Sequence, residues 1–413
     1  SVQSAQDVFT PNHVARIRTV KSVAISSDGT RVAYELSVPR NPFDETDGPA
    51  WSELHVVDRA GEIRPYVTGQ TNLSAVAWTP DGKGLSFLAK RKGDEHQSIY
   101  RIELSGGEAR RIVSHPTDIV EYVWSPDGER IAYLATQSVD EEIRELEGKG
   151  FDQIIYEEDW RLVRIWIIRP EAREEGARLI EHEGSASSLH WSPVGSKLAV
   201  TLSPTSLIDD QIMRRKLHLL DADEGTILAR FDNPGKIGKI AWSTDGAHVA
   251  VVSGADLNDP FEGRLMVASS RGGLLTDIMP DYDLGHISDI VWQDAETLVF
   301  LAYEGVLSFH GRVSLDGSRI EKIVPLGGPV LRRLSLSEDG SAAAFLADSP
   351  KHPREVYYMK EGDAAPRRLT HSNSWFSGMR MALQEVVRFK ARDGLEIEGL
   401  LIRPLDEEEG VRY

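Results

Sequence analysis

One turn, recurring along almost the whole chain, limits what this sequence can fold into more than any other feature. Its clearest copy is Ala77-Trp78-Thr79-Pro80-Asp81-Gly82. The apolar run Ser74–Trp78 reads as a strand, Pro80 presets φ for the first corner of a type I turn, Asp81 tolerates the second, and Gly82 takes the positive φ that follows. A second apolar strand, Leu85–Ala89, returns from it. The motif is therefore a hairpin.

Seven copies align. Their third turn positions are Asp28, Asp81, Asp127, Val194, Asp245, Ala295 and Asp339, separated by 53, 46, 67, 51, 50 and 44 residues. Periods of ~40–50 residues belong to four-stranded propeller blades and not to helical solenoids of ~33–34. A second strand pair follows each hairpin, as in Glu53–Asp58 with Arg64–Val67 and Ser98–Leu104 with Ala109–Val113. The expected fold is all-β: a seven-bladed β-propeller over residues 19–372, preceded by an N-terminal arm, 1–18. The chain enters at a complete hairpin and leaves after a complete pair, so side-chain packing should close the ring, unless the arm adds an edge strand. Trp78, Trp124, Trp191, Trp242 and Trp292 sit at equivalent positions beside the turns. Repetition at blade spacing assigns them to packing between blades.

Two stretches interrupt the pattern. Pro39–Ser52 is too polar and turn-rich for a strand and reads as a surface loop. Val139–Gly150 places Glu141, Glu142, Arg144, Glu145 and Glu147 around Ile143 and Leu146, which predicts a short amphipathic helix capped by Asp140. It runs into Tyr156-Glu157-Glu158-Asp159-Trp160. After Thr370 the repeat stops. Gln384–Lys390 and Glu396–Pro404, joined at Asp393-Gly394, form one further hairpin, and an isolated two-stranded hairpin is marginal in water. Residues 373–413 are thus expected to be a linker and the start of something larger.

These features together resemble the prolyl oligopeptidase family of serine peptidases, within it the acylaminoacyl-peptidase and bacterial dipeptidyl-peptidase branch. The resemblance runs over residues 10–413 and rests on the Trp-Ser-Pro-Asp-Gly repeats, Asp393-Gly394, and Ile397-Glu398-Gly399 closing at Pro404. It implies that the final hairpin opens a truncated α/β-hydrolase (peptidase) domain. It also implies a His-Gly-Gly-Pro oxyanion segment and a Ser-His-Asp triad beyond Tyr413, and a propeller that gates access of short peptides. The partners it implies are an oligopeptide substrate and the chain's own C-terminal hydrolase domain, with a homo-oligomer as a further option. Tyr156–Trp160 is similar to the paired-glutamate segment by which dipeptidyl peptidases hold a substrate's amino terminus, although the residue order differs. Glu157 and Glu158 are accordingly the substrate-binding candidates, against a structural ion-pair or loop-anchoring role for the same residues. The rival reading is a non-catalytic TolB-like propeller, an interaction module, in which the last hairpin would be an edge pair on the ring.

Chemistry in the chain itself is sparse. No Gly-x-Ser-x-Gly elbow occurs; Gly184–Ser188 lacks the closing Gly and reads as a loop ahead of a propeller strand, so no catalytic residue is expected in 1–413. There is no cysteine, and the twelve histidines show no metal spacing, so neither a metal nor a cofactor is assigned. Asp256–Pro260 lacks the Gly and distal Glu of a calcium loop and reads as a plain turn. The net charge of −18 opposes nucleic acid and anionic membrane surfaces, and no apolar run approaches the ~20 residues of a spanning helix. The small residues of Ser1–Ala5 allow a removed secretory signal, hence a periplasmic or secreted protein, with the cytoplasm as the alternative.

Overall fold

In a computed structural model, residues 8–153, 155, 157, 158, 160–170 and 176–412 are described. They form seven four-stranded sheets and one two-stranded sheet. Each of the seven is an antiparallel meander in chain order, and these are blades 1 to 7: residues 19–67, 73–113, 119–180, 185–230, 237–277, 286–324 and 330–368. Each blade takes all four strands from its own stretch. Residues 8–18 add none; they hold one helical turn, Pro11–Val14, closed by a Thr10–His13 capping box.

The core lies between blades. Second strands such as Gly84–Ala89 are buried along their length, because the sheets are packed on both faces. Seven apolar clusters result, each shared by two neighbouring blades. One of them joins Val20, Val32, Tyr34 and Leu36 of blade 1 to Ala344, Leu346, Val356 and Tyr358 of blade 7, which closes the ring by packing. Hydrogen bonds reinforce this seam: Ile25 N–H donates to Ser335 Oγ at 3.1 Å, Glu338 N–H to Ser27 O at 3.0 Å, and Tyr358 O–H to Gly29 O at 3.0 Å.

The repeated tryptophans hold neighbouring first strands at one level. The indole N–H groups of Trp78, Trp242 and Trp292 reach back to Ala24 O, His190 O and Ala241 O of the preceding blade at 2.8, 2.9 and 3.1 Å. Trp124 uses Ser86 Oγ of blade 2, at 2.9 Å. Trp191 instead bonds Gly195 O in its own turn at 3.4 Å, and Arg130 of blade 3 stacks on its ring.

The Asp found in five of the seven turns does more than tolerate a corner. Asp127 Oδ1 accepts from Ser125 Oγ at 2.5 Å and Glu129 N at 2.9 Å, and Ser125 Oγ in turn accepts from Arg130 N at 2.9 Å. Asp28, Asp81, Asp245 and Asp339 repeat the arrangement with Ser26, Thr79, Ser243 and Ser337. Val194 has no carboxylate to offer, and there Ser192 Oγ donates to the Val194 carbonyl at 2.8 Å.

Three local expectations are corrected. Ser185 lies inside the first strand of blade 4, Ser185–Trp191, and is buried there, where its Oγ accepts from Val163 N at 3.0 Å. The helix in blade 3 is Glu141–Gly148, but the Asp140 side chain makes no capping bond and the helix buries no residue. Trp51 belongs to the third strand of blade 1, Trp51–Asp58, not to the loop, since Glu45 and Arg40 hold its ring.

The hydroxyl bonds from Ser26, Ser125, Ser243 and Ser337, with the backbone amide two residues on, hold the Asp28, Asp127, Asp245 and Asp339 carboxyls below the usual carboxylate range. A carboxyl depressed in the folded state contributes stability above its unfolded pKa of ~3.9, and this is lost as pH falls through the folded value. Denaturant midpoints should therefore drop steeply on going from pH 5 to pH 3. The drop should be shallower in Asp127→Asn; an identical slope would remove the assignment.

Candidate functional site

A meander gives a propeller two unlike ends. First-to-second strand turns, the tight Asp-Gly hairpins, lie at one end; second-to-third strand loops lie at the other. The latter range from two residues in blade 7 to the segments 204–215 in blade 4 and 137–162 in blade 3. Large exposed apolar side chains follow the same division. Phe43, Phe151, Trp160, Ile208, Phe261 and Leu284 lie in loops of the second-to-third end. Among the described residues the opposite end shows Val194 and Leu274 in its turns and Ile63, Leu228 and Ile320 where fourth strands begin, and no exposed Phe or Trp. Exposed aromatic surface gathered at one end marks the end that meets something.

The blade 3 insertion is pinched at its base by Gln137 N–H donating to Leu162 O at 2.8 Å. Within it Glu157 and Glu158 are both exposed, in a turn closed by Glu158 N–H to Ile155 O at 3.1 Å. Glu157 takes φ +61, a left-handed conformation that non-glycine residues seldom adopt. The two carboxylates are thus carried at the apolar end. Tyr156 and Asp159 of the same segment lie outside the described residues.

Inside the ring, one residue per first strand stands three positions before the tryptophan site, beside a register slip: Ser22, Ala75, Glu121, Ser188, Lys239, Asp289 and Arg333. The acids serve the next blade. Glu121 Oε1 accepts from Leu189 N at 2.9 Å and Asp289 Oδ2 from Leu334 N at 3.0 Å. Lys239 Nζ lies 3.8 Å from Asp289 Oδ1. Burial raises Glu121 to about 7 against the opposing Leu189 amide and the charges of Lys239 and Arg215, while burial drives His190 down to about 3.

The exit from the ring is built around Glu355, which is fully buried. Its carboxylate accepts from Thr370 Oγ1 at 2.5 Å, Ser372 N at 2.8 Å and Ser372 Oγ at 2.9 Å, and meets Arg368 Nη2 at 3.3 Å. Beyond it, the Asn373 side chain pairs with the Arg18 backbone, its Oδ1 accepting from Arg18 N at 2.8 Å and its Nδ2 donating to Arg18 O at 2.7 Å. Phe9, His13, Trp375 and Phe376 stack around that contact. Entry and exit of the propeller are thereby fixed together. Sequence reading passed over Glu355 and Asn373; the only signal was an acid placed directly before the apolar run Val356–Met359.

The last hairpin, Gln384–Lys390 with Glu396–Ile402, forms its own sheet and joins no blade edge. Val386, Phe389, Leu400, Leu401 and Ile402 are exposed, so apolar side chains face outward on both surfaces.

No acyl-transfer site is assembled from these residues. Among the described residues a side-chain hydroxyl meets a histidine ring at Thr10–His13, Tyr133–His115 and Tyr357–His352, and none of the three rings hydrogen-bonds a carboxylate. Asp256 and Asp259 spend their oxygens on backbone amides of their own turn.

No protein-family model matches the chain. Among solved structures, it superposes on the acylaminoacyl peptidase of Pyrococcus horikoshii with a TM-score of 0.71 at 16% identity, covering 96% of this chain and 60% of that one. For a puromycin-hydrolyzing peptidase of Mycobacterium tuberculosis the values are 0.68 and 14%, covering 97% and 61%. The β-propeller domain of the Trilobed protease from Pyrococcus furiosus, described as having an open velcro topology, gives 0.60 at 14%, covering 87% and 99%. A curated relative, the uncharacterized peptidase YuxL of Bacillus subtilis, is 27% identical over 99 residues, 24% of this chain and 14% of that protein. The chain thus spans about 60% of the two full peptidases it superposes on, and the likeness is one of fold: a propeller like those of prolyl oligopeptidase-type peptidases.

Removing one partner of a buried, charge-assisted cluster leaves the others unpaired, at a cost of about 3 kcal/mol. Glu355→Ala should lower unfolding stability by about that amount, and Glu355→Gln by less. Chemical denaturation of both variants measures it, and two unchanged midpoints would refute the role.

Proposed function

We propose that residues 19–372 are the substrate-gating propeller of a serine peptidase that hydrolyses short peptides, and that 373–413 begin its α/β-hydrolase domain. The observation that carries this reading is the one-sided distribution of apolar surface. Exposed apolar loops and an apolar hairpin lie at the same end of the ring, and the hairpin touches blade 6 there, where Val306 N–H donates to Glu398 Oε1 at 3.0 Å. A two-stranded sheet with both faces apolar needs further strands and a covering layer, which an α/β domain supplies. The rival reading makes the hairpin an edge pair on the ring; it is a separate sheet. A ring mouth facing such a domain would admit extended peptides and exclude folded proteins by size, while acyl transfer ran through a Ser-His-Asp triad in that domain.

Within this reading Glu157 and Glu158 are the groups at the covered end able to neutralise a substrate's terminal ammonium and so fix its register. In the full-length enzyme Glu157→Gln with Glu158→Gln should raise the Michaelis constant for free-amino dipeptide substrates and leave amino-blocked ones unchanged. Equal constants for both substrates in wild type and variant would remove the assignment.

The larger reading has a direct test. Translation past the Tyr413 codon should meet His-Gly-Gly-Pro within about a dozen residues, the loop-and-strand length expected there. The longer protein should react with a serine-directed fluorophosphonate probe and the 413-residue chain should not. A stop codon close to Tyr413 would overturn the proposal.

A further inference from the structure

The sequence motif Ile397-Glu398-Gly399 contains a carboxylate that the reading above does not use. Glu398 lies on the second strand of the last hairpin opposite Arg388. Its Oε2 accepts from Arg388 Nε at 2.8 Å, while its Oε1 leaves the hairpin to accept from Val306 N at 3.0 Å in the second-to-third strand turn of blade 6. That turn is shaped for the contact. Gly305 holds φ +58, and a Cβ built there would lie 2.1 Å from Glu398 Oε1. A side chain at 305 would therefore both strain the backbone and evict the carboxylate. The Val306 amide and the Arg388 pair hold the Glu398 carboxyl below its ordinary range.

We infer that Glu398 is an interlobe latch: its carboxylate docks on the Gly305–Val306 turn and fixes the angle at which the hairpin, and whatever is built on it, stands over the mouth of the propeller. A body attached at one point can swing. Here the first attachment is the linker root, where Glu355, Asn373 and Arg18 hold the exit, and Arg403 N–H closes the hairpin's own base on Leu383 O at 3.0 Å. Glu398 supplies the second, reaching from position 398 back to 306. With both in place the hairpin has one orientation; with the second broken it pivots about residues 371–383. Arg388 orients the carboxylate and keeps it charged, which makes the bond to Val306 stronger than a neutral one. Glu398 is a positioning residue and touches no substrate. The consequence for selectivity rests on the peptidase reading above; the latch itself does not.

Hydrogen–deuterium exchange of the Val306 amide in this chain reads the latch directly. Glu398→Ala should speed that exchange by at least ~10-fold, the effect of losing one charge-assisted bond, and tryptic cleavage after Arg380 should accelerate with it. Gly305→Ala should act in the same direction. Glu398→Gln, which keeps one acceptor oxygen, should restore part of the protection. Wild-type exchange at Val306 and wild-type cleavage in Glu398→Ala would overturn the inference, and should Gly305→Ala fail to fold, the two Glu398 variants decide alone. In the full-length protein a freed hairpin should raise kcat/KM for long peptides relative to short ones. Absence of any peptidase activity there would count against the proposed function, whereas an unchanged length preference beside faster Val306 exchange would overturn the link from latch to selectivity.

Discussion

The constraint on which the ring depends is the open edge of each blade's first strand. That strand has a hydrogen-bonded neighbour on one side, so its outer N–H and C=O groups would face the central channel unpaired, and unpaired edge groups are costly when withdrawn from water. The chain satisfies several of them with side chains from the adjacent blade. Tryptophan indoles reach back to first-strand carbonyls, and Glu121 and Asp289 reach forward to the first-strand amides of Leu189 and Leu334. Each such bond ties two blades that share no backbone ladder. The cost shows at Glu121, whose burial raises its pKa to about 7 even with Lys239 and Arg215 nearby.

At the join between blades 7 and 1 this device changes. Arg333 occupies the position held by Asp289 and Glu121, and as a cation it offers no acceptor to the next strand. Ile25 stands where blade 2 has Trp78 and brings no indole, so its own N–H is satisfied by Ser335 Oγ. The apolar cluster around Tyr34 and Tyr358 and the paired bonds of the Asn373 side chain with the Arg18 backbone then hold the seam. Both chain connections leave the ring at this join, so the weakest part of the edge-satisfaction scheme is also where the two connections reinforce each other.

The blade count and strand order could be read from sequence because they depend on local chemistry. Pro, Asp and Gly specify a turn within six residues, and an apolar strand on either side completes the hairpin. The cross-blade network was not legible, because its partners lie far apart: 54 residues for Trp78 with Ala24, 68 for Leu189 with Glu121, and 355 for Asn373 with Arg18. A single sequence assigns such a tryptophan to packing but cannot say which carbonyl it meets. Glu355 looks like the polar alternate of an ordinary strand, and its role appears only when Thr370 and Ser372 fold back onto it. Asp140 shows the converse failure. Its residue type suits a helix cap, yet a helix that buries nothing has no packing to enforce cap geometry, and the bond is not made.

The two ends of the ring have been given different work. At the Asp-Gly end five of the seven turns are stapled by their own Ser or Thr and Asp, the loops are short, and the surface carries few large apolar groups. At the other end loop length is free to vary because nothing repeats there to be satisfied, and apolar side chains accumulate on loops of blades 1, 3, 4 and 5. Water alone gives no reason for one end of a stable ring to remain apolar while the other is polar. In the function proposed above the reason is the domain begun by the hairpin of 384–402, which rises from that end, is apolar on both faces, and is held against blade 6 through Glu398. On that reading the apolar loops, the apolar hairpin and the carboxylate that holds it to blade 6 belong to one interface, with the repeats serving as its rigid base.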